Sequence, residues 1–381
     1  MLNRLKGILY DGALLLAKTG RRSQPARRLL IVRTDEIGDY MLWRKFLPLI
    51  AAHYRAAGYE VHFLGNSSWK SIYELLDHGV ADQTIWMNKT AFKKDLNYRY
   101  QLLKQVYGYS YETVVNPIFS RDKRNDDAIV RATAARYRIG MKANPEAVKS
   151  YEQGYDRHLY TTLFDHPEKP LFEFYRNRLF TEYITGKPAA VTNTRVQSEL
   201  LPALPAGLPA QYFVVFPGSR SSARIWDVAH FITVSNYLFE TYGYTAVLCG
   251  GPGDQPYTDA FETLSRHPLV NLSGKTSLPQ LLSVLSAAKC LLSVDTGSVH
   301  LAAAVGCTVF GVFNGSQYKR FAPYPIEVAE RFFAAYPQTV EQELKASETV
   351  PAKYEFTVPV AYNEVRPAQL IQLIQTHLTL P

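Results

Sequence analysis

The stretch LLIVRTDEIGD, residues 29–39, decides the fold class of this chain. Its first five residues, Leu29 to Arg33, form an apolar run that ends in one cation. Such a run is typical of a strand buried on both faces of a parallel sheet. A polar turn follows and leads into a helical pattern from Tyr40 to about Ala57. A buried strand, a turn and a helix in this order open a βαβ unit, so an α/β protein is predicted.

The same alternation of strands and helices occurs in two series along the chain. The first series continues with strands at Val61–Leu64 and Thr113–Asn116 and helical patterns at Trp69–Leu76 and Phe92–Tyr107. The second series predicts helices from Trp226, near Tyr257, from Leu278 and from Val299, and these strands: Tyr212–Phe216, Thr245–Leu248, Leu269–Leu272, Cys290–Val294 and Thr308–Phe313. Because 381 residues exceed what one hydrophobic core usually supports, the two series predict two doubly wound domains.

A segment rich in Pro, Ala, Thr and Leu separates the two series and contains PALPAGLP. We therefore predict a first domain at residues 29–190, a linker at 191–210 and a second domain at 211–362. Residues 363–381 contain one amphipathic helix, Pro367 to Leu378. Residues 318–362 are aromatic and proline-bearing without clear periodicity, and they receive no assignment.

Residues 1–28 are basic and amphipathic. They hold seven Lys and Arg residues against one acid, so most of the net charge of +8 lies there. Helical periodicity places two sets on opposite faces: Leu2, Leu5, Leu9 and Leu16 on one, and Arg4, Asp11 and Lys18 on the other. The segment is too short to span a bilayer and lacks a secretory cleavage pattern. It either lies on an anionic membrane surface or packs on the folded domain. No basic stripe suits nucleic acid.

Polar residues directly after the first strand are candidates for function, because ligands of open α/β sheets bind beyond the carboxyl ends of the strands. This loop contains Arg33, Asp35, Gly38 and Asp39. Gly38 permits a close turn, and Asp39 lies beside the first turn of the next helix. Asp39 either caps that helix, which is a common role for Asp, or is a functional carboxylate.

The loop after the strand at Tyr212–Phe216 reads PGSRSSAR. Ser219, Arg220 and Arg224 precede a helix predicted to begin near Trp226. Hydroxyl groups, arginines and the backbone N–H groups of a helix start form a suitable cradle for a diphosphate. The alternative is a solvated loop with a serine cap. A Walker motif is absent.

The loop after the strand at Cys290–Val294 reads DTGSVH. Thr296, Gly297 and Ser298 offer hydroxyl and N–H groups at a helix start, which suits an anion next to Asp295. His300 either touches the ligand or is a buried imidazole.

A fourth loop, GGPGD at residues 250–254, has no closing glycine and does not match a dinucleotide fingerprint, which argues against a dehydrogenase. Asp254 follows a strand and is a candidate hydrogen-bond acceptor for a ribose. The three cysteines, Cys249, Cys290 and Cys307, are separate and lie among apolar residues. We predict reduced core thiols in a cytosolic protein, with no metal and no cofactor.

Five motifs together carry a resemblance to a known family: VRTDEIGD, FPGSRSSARIW, GGPGD, LSGKTSLPQLLSVLSAAK and SVDTGSVHLAAAVG. In order and spacing across residues 29–325 they resemble glycosyltransferase family 9, the ADP-heptose:lipopolysaccharide heptosyltransferases. The resemblance implies a GT-B architecture of two Rossmann-like doubly wound domains facing a central cleft. The acceptor domain comes first, the nucleotide-sugar domain second, and the final helix crosses back to the first domain.

The resemblance also implies roles for individual residues. Asp39 matches the catalytic aspartate and would act as general base, with Arg33, Asp35 and Gly38 in the acceptor-side loop. Arg224 stands where many members have lysine, which keeps the charge but changes its geometry. The residues implied in nucleotide-sugar binding are Ser219, Arg220, Arg224, Asp254, Asp295, Thr296, Gly297, Ser298 and His300.

The implied activity is metal-independent, inverting transfer of heptose from ADP-heptose onto lipopolysaccharide or another cell-surface glycan. The implied location is the cytoplasm, at the inner face of the cytoplasmic membrane. Two alternatives stay open: a family member that uses another nucleotide sugar and acceptor, and a non-catalytic module that binds nucleotide or glycan.

Overall fold

The computed structural model describes residues 2–24, 26–142, 158–166 and 170–379, with side chains from residue 6 onward. Contacts divide the chain into two compact units. The first comprises Met1–Glu168 and Phe174–Val191, and the second Lys169–Glu173 and Thr192–Pro381. The main passage from one unit to the other thus falls after Val191, inside the segment predicted as a linker.

The first unit contains a parallel six-stranded sheet in the order β3-β2-β1-β4-β5-β6. Its strands are β1 (Arg28–Arg33), β2 (Glu60–Asn66), β3 (Gln83–Met87), β4 (Thr113–Asn116), β5 (Tyr137–Met141) and β6 (Thr162–Phe164). Its helices are α1 (Leu2–Ala17), α2 (Ile37–Trp43), α3 (Leu47–Ala56), α4 (Lys70–Leu76), α5 (Lys89–Lys94), α6 (Leu96–Gly108), α7 (Asp126–Thr133) and α8 (Glu173–Thr185). Apolar residues of β1 and β4 are fully buried, as expected for central strands.

The second unit contains another parallel six-stranded sheet, in the order β12-β11-β10-β7-β8-β9. Its strands are β7 (Tyr212–Phe216), β8 (Thr245–Leu248), β9 (Leu269–Asn271), β10 (Cys290–Val294), β11 (Thr308–Val312) and β12 (Phe332–Ala335). Its helices are α9 (Val228–Tyr242), α10 (Gln255–Leu264), α11 (Leu278–Ala287), α12 (Gly297–Val305), α13 (Gln338–Lys345) and α14 (Pro367–His377).

Both sheets have the same winding order, 3-2-1-4-5-6 when strands are counted within each unit. The order reverses between β1 and β4 in the first unit and between β7 and β10 in the second. At such a switch point the loops leave neighbouring strands in opposite directions and open a crevice that binds ligands. The loops after β1, β7 and β10 are the three that carry the main predicted site residues.

The patterns missed four strands and misplaced some helix ends. The helix predicted from Tyr40 to Ala57 begins earlier, at Ile37, and a 3₁₀ turn at Arg44–Phe46 separates its two halves. The missed strands lie at the edges or next to them: β3, β5, β6 and β12. Edge strands are partly exposed and short, so they lack the apolar run that identified β1.

Helix α14 belongs to the core of the second unit. Its buried residues are Leu370 and Ile374. They pack against α9, β11 and β12. The apolar face of α14 is thus used to cover one side of its own sheet.

Helix α1 packs on the first unit, but not through the predicted leucine stripe. Its buried residues are Ala13, Leu14 and Ala17, and they face α6 and α7. Leu9 and Leu16 of the predicted stripe are exposed by 45% and 61%. The side chains of Leu2, Arg4 and Leu5 lie outside the described residues. No helix within the described ranges is long and apolar enough to cross a membrane.

Candidate active site

The loop after β1 is held by a buried arginine. Arg33 is only 1% exposed, and its Nε lies 3.0 Å from the Asp35 carboxylate. Its two terminal nitrogens donate to the carbonyl oxygens of Asp39 at 2.9 Å and of Pro117 at 3.0 Å. Arg33 therefore connects the loop after β1 to the loop after β4 and fixes the backbone of Asp39.

Asp39 is the third residue of α2 and takes part in its cap. Its carboxylate accepts a hydrogen bond from the backbone N–H of Glu36 at 3.3 Å, in a capping box. The capping alternative is thus realised. The contact does not bury Asp39, which keeps intermediate exposure, whereas Gly38 beside it is buried. A carboxylate can serve as a cap and still present an oxygen to a substrate.

Further charged residues surround this loop, and two of them were missed from sequence. Lys89, at the start of α5, donates to Glu36 at 3.0 Å. Asp126, at the start of α7, accepts from the Thr34 hydroxyl and from the Asp122 N–H. Burial alone would lower the pKa of Lys89, but Glu36, Asp126 and Asp35 outweigh it and raise that pKa. The loop is therefore a cluster of carboxylates that the half-buried ammonium of Lys89 partly neutralises.

Burial raises the pKa of Asp35 well above its ordinary value, although Arg33 opposes the shift. Burial likewise raises the pKa of Asp126, with Lys89 opposing it. A proton on either carboxyl group is therefore easier to hold than in water. Among the described residues, no group of three His, Cys, Asp or Glu is arranged to hold a metal ion.

The backbone of the loop is fixed from β2 as well. Asn66 donates its side-chain amide to the Asp35 carbonyl oxygen at 3.1 Å, and the Trp69 indole donates to the same oxygen at 3.0 Å. The Trp69 ring stacks on Tyr40 of α2 at 4.1 Å between centroids. Loop and helix are thus pre-organised, which a site needs when it must position a reacting group.

In the second unit, the loops after β7 and β8 contact each other through a carboxylate. Asp254 accepts from the Gly251 N–H at 2.8 Å. A side chain at Gly218 would overlap the Asp254 carboxyl group, so this position requires glycine. Burial raises the pKa of Asp254, and Arg220 opposes the shift. Asp254 thus supports the loop that carries Ser219 and Arg220.

Arg224 reaches the loop after β10. One of its terminal nitrogens lies 3.3 Å from the Asp295 carboxylate and donates to the Asp295 carbonyl oxygen at 3.2 Å. The Arg224 side chain is 39% exposed, whereas that of Asp295 is 11% exposed. Burial raises the pKa of Asp295, and Arg224 opposes the shift. The structure thus brings two of the predicted nucleotide-site residues into direct contact.

Helix α12 begins with a group of hydroxyls. Thr296 is its N-cap residue, and the Thr296 and Ser298 hydroxyls lie 2.7 Å apart. Ser298 also contacts the Ser293 hydroxyl of β10 at 2.8 Å. Gly297 is the first residue of the helix. These hydroxyls bond to one another, so the helix N-terminus keeps its positive end for an anion.

His300 lies within this helix and is buried, with its Nδ1 2.7 Å from the Tyr324 hydroxyl. Burial and the nearby Arg224 lower its pKa to about 4, so the imidazole is neutral at neutral pH. Two alternatives were considered for His300 from the sequence, and the structure shows a buried imidazole beside the loop after β10.

The helix after the PGSRSSAR loop begins later than predicted. Trp226 is fully buried outside the helix and donates to the Val365 carbonyl oxygen at 2.8 Å. Asp227 is the N-cap of α9 and accepts from the Ala229 N–H at 2.9 Å. A carboxylate therefore already occupies this helix start, which corrects the expectation that it faces a diphosphate.

The unassigned segment 318–362 supplies buried aromatic residues to the second unit, among them Tyr336 and Tyr362. Burial raises the pKa values of both Tyr336 and Tyr362, and the Asp295 carboxylate raises them further. The buried Tyr336 hydroxyl has no hydrogen-bond partner among the described residues. Two backbone hydrogen bonds connect distant parts of this region: the Gln317 N–H donates to the Phe356 carbonyl oxygen, and the Tyr318 N–H donates to the Tyr354 carbonyl oxygen.

Comparison with known proteins identifies the family. The family model of glycosyltransferase family 9 (heptosyltransferase) matches residues 99–348, which is more than half of the chain. The chain belongs to glycosyltransferase family 9. The match includes the loops after β7, β8 and β10 of this family 9 chain, whereas Asp39 lies before its first residue.

Curated relatives of the family 9 chain are heptosyltransferases. Lipopolysaccharide heptosyltransferase 3 of Escherichia coli is 28% identical over 122 residues, covering 31% of this chain and 36% of the relative. Lipooligosaccharide heptosyltransferase 2 of Haemophilus influenzae is 29% identical over 137 residues, covering 35% and 39%. The matched part thus spans less than half the length of these relatives.

Solved structures resemble the family 9 chain over almost its full length. A glycosyl transferase family 9 structure from Veillonella parvula has a TM-score of 0.65 at 15% identity and covers 94% of this chain and 99% of that one. E. coli heptosyltransferase WaaC with ADP has a TM-score of 0.61 at 17% identity and covers 92% and 99%. At this identity the likeness concerns the fold, and it confirms the predicted GT-B class.

Proposed function

We propose that this chain is an inverting, metal-independent glycosyltransferase that moves heptose from ADP-heptose onto lipopolysaccharide or another cell-surface glycan. One observation carries the proposal: each of the two Rossmann-like units has a pre-organised, charged loop at its switch point. The loop of the first unit is acidic, and that of the second presents arginines and a helix N-terminus. The names of the curated relatives supply the sugar, and the ADP of the solved WaaC structure supplies the nucleotide.

In the first unit, Asp39 is the proposed general base. A sugar hydroxyl is a poor nucleophile at neutral pH, so a carboxylate within hydrogen-bond reach must take its proton during attack. Arg33, which bonds to the Asp39 carbonyl oxygen, holds the residue in place. Asp35 and Gly38 shape the acceptor-side loop. A single displacement by the acceptor inverts the anomeric centre.

In the second unit, the leaving ADP carries the negative charge that develops as the sugar–phosphate bond breaks. Ser219, Arg220 and Arg224 with the N-terminus of α12 stabilise that charge. Asp295 lies 3.3 Å from the Arg224 guanidinium and orients it toward the diphosphate. Thr296, Gly297 and Ser298 line the nucleotide site, and Asp254 is the proposed ribose contact. His300, which is held by its contact with the Tyr324 hydroxyl, supports this loop.

The acceptor is lipid-linked in this proposal, so the chain works at the inner face of the cytoplasmic membrane. Residues 1–28 are the proposed contact with an anionic membrane surface. The three cysteines are free and buried, as suits a reducing compartment.

The test is a donor panel with mass detection. The purified chain is incubated with a heptose-deficient lipopolysaccharide core and, in separate reactions, ADP-heptose, ADP-glucose, UDP-glucose or ADP alone. We expect the acceptor to gain one heptose only with ADP-heptose. Transfer from another nucleotide sugar alone would refute the donor assignment. ADP binding without any transfer would favour the non-catalytic alternative.

A further inference from the structure

Helix α1 exposes an apolar stripe on the surface of the first unit. Ile8, Leu9, Leu15 and Leu16 are 68%, 45%, 67% and 61% exposed. They are four of the eleven exposed large hydrophobic residues in the described parts of the chain, although α1 has only 16 residues. At 100° per residue they occupy an arc of about 120°. Single exposed leucines are ordinary, but a stripe of this kind indicates an interaction surface.

The stripe is a lasting feature of the fold, because the opposite face of α1 is anchored. Leu14 and Ala17 lie in the core of the first unit. The Tyr10 hydroxyl donates to the Lys93 carbonyl oxygen, and the Arg99 guanidinium lies 4.1 Å from the centroid of the Tyr10 ring. α1 therefore cannot roll to bury its leucines without losing these contacts.

Cations gather where α1 ends. Lys18 follows the stripe, and burial together with Arg131, Arg138 and Arg22 lowers its pKa. Arg22 donates to two uncharged groups, the Ser110 hydroxyl and the Thr133 carbonyl oxygen. The acid on α1, Asp11, pairs with Arg131 at 3.2 Å. The repulsion that remains around Lys18 favours an external anion.

An open cavity of about 670 Å³ continues from this cluster. Its lining includes Arg22, Arg27 and Arg136, against one acid among the lining residues, Glu112. The three segments that form it lead into β1, β4 and β5, so it lies at the amino edge of the first sheet. The loop that carries Asp39 is at the opposite, carboxyl edge. The cavity is thus separate from the proposed base.

The cavity is pre-organised around its arginines. The Ser23 N–H donates to the Gly108 carbonyl oxygen at 2.8 Å, and the Ser110 hydroxyl donates to the Ser23 carbonyl oxygen at 2.9 Å. Arg27 donates to the Ala57 carbonyl oxygen at 2.8 Å. Guanidinium groups held in this way bind phosphate well, because their planar donors match its oxygens.

We propose that the first unit docks on an anionic bilayer, with the exposed apolar stripe of α1 (Ile8, Leu9, Leu15 and Leu16) between lipid headgroups. The arginine-lined cavity then binds one lipid phosphate. The occupant is a phospholipid, because an exposed apolar stripe followed along the chain by Lys18, Arg22 and a cavity lined by three arginines matches an acyl boundary next to a headgroup. The inference rests on the proposed function only in that a lipid-linked acceptor lies at a membrane. Vesicle binding is measured without any sugar transfer.

The experiment is sedimentation of the full chain with two kinds of vesicles, phosphatidylcholine alone and phosphatidylcholine with phosphatidylglycerol. Binding is expected only to the second kind. Leu15→Ser with Leu16→Ser should weaken partitioning at least about tenfold, and Arg136→Gln about fivefold. The matched controls lie in the second unit, where Leu264 ends α10 and Arg266 follows it, and both residues are exposed. The variants Leu264→Ser and Arg266→Gln should bind vesicles as the wild type does.

Equal binding to both kinds of vesicles, or unchanged binding of the α1 double variant, would overturn the proposal. Inorganic phosphate is the second probe. If phosphate raises the melting temperature through Arg136 while vesicles do not bind, the cavity takes a free anion and the membrane assignment is wrong. A chain that binds vesicles but transfers no sugar would leave this inference standing and refute the proposed function instead.

Discussion

Replacing Arg33 with methionine tests whether one buried cation holds the loop of Asp39. The substitution keeps much of the side-chain volume but removes the ion pair to Asp35 at 3.0 Å and the two hydrogen bonds to carbonyl oxygens. Removing one partner of a buried pair costs about 3–5 kcal/mol, because the other charge stays buried without compensation. The free energy of unfolding of the first unit should fall by that amount.

The assay is urea unfolding followed by tryptophan fluorescence, since Trp43, Trp69 and Trp86 report on the first unit and only Trp226 on the second. The matched control is Arg55→Met. Arg55 pairs with Asp82 at 2.7 Å, but the two side chains are 37% and 40% exposed. An exposed pair contributes less than about 1 kcal/mol.

The pH dependence of the stability of the Arg33→Met variant is a second, independent test of this ion pair. Burial raises the folded-state pKa of Asp35 and Arg33 opposes the shift, so losing Arg33 raises this pKa further. When the pKa of a carboxyl group is higher in the folded protein than in the unfolded chain, the free energy of unfolding decreases as the pH rises above the unfolded-chain pKa. The destabilisation should therefore be larger near about pH 8 than near about pH 5. Equal destabilisation in the Arg33 and Arg55 variants would show that the buried ion pair of Arg33 does not hold this loop.

Three further predictions concern the second unit. Gly218→Ala places a Cβ atom against the Asp254 carboxyl group and should weaken ADP binding, measured by calorimetry, at least about tenfold. Gly253→Ala is the control, because a Cβ atom there has no other atom within 4 Å, and its ADP affinity should not change. Arg224→Ala should raise the Kd for ADP about tenfold to a hundredfold in a fluorescence titration, and an unaltered Kd contradicts the diphosphate role. The pKa of His300 is about 4 in the folded protein, below its ordinary value of 6.5. The stability that the neutral imidazole contributes is therefore fully present above pH 6.5 and is lost as the pH falls toward 4. His300→Gln should flatten that loss in thermal melts, and parallel curves would contradict it.

The central strands could be predicted because a strand that is buried on both faces needs apolar side chains at consecutive positions. β1, β7 and β10 are such runs, and the polar loops after them follow from strand direction. The edge strands lack that signal. β12 has the sequence FFAA in a segment without periodicity, and only its pairing with β11 makes it a strand.

The partners of the site residues needed the tertiary structure. Lys89 begins a short helix in the pattern KTAFKK and looks like an ordinary surface lysine until the sheet order brings it to Glu36. Tyr336 and Tyr362 lie in irregular chain, for which no local pattern exists, and only the tertiary structure shows that the Asp295 carboxylate raises the pKa values of both. Helix α1 has apolar residues on two faces, so periodicity alone could not tell which face is buried.

The turnover of Asp39→Asn with ADP-heptose and a lipopolysaccharide acceptor tests the proposed general base most directly. Asparagine keeps an oxygen for the Glu36 N–H, so the cap of α2 survives and only the base is removed. We expect kcat to fall by about 10²–10⁴ while the Kd for ADP stays unchanged, with Glu36→Gln as the matched control. Turnover within about threefold of the wild type would contradict it, because no proton acceptor would then be needed at this position.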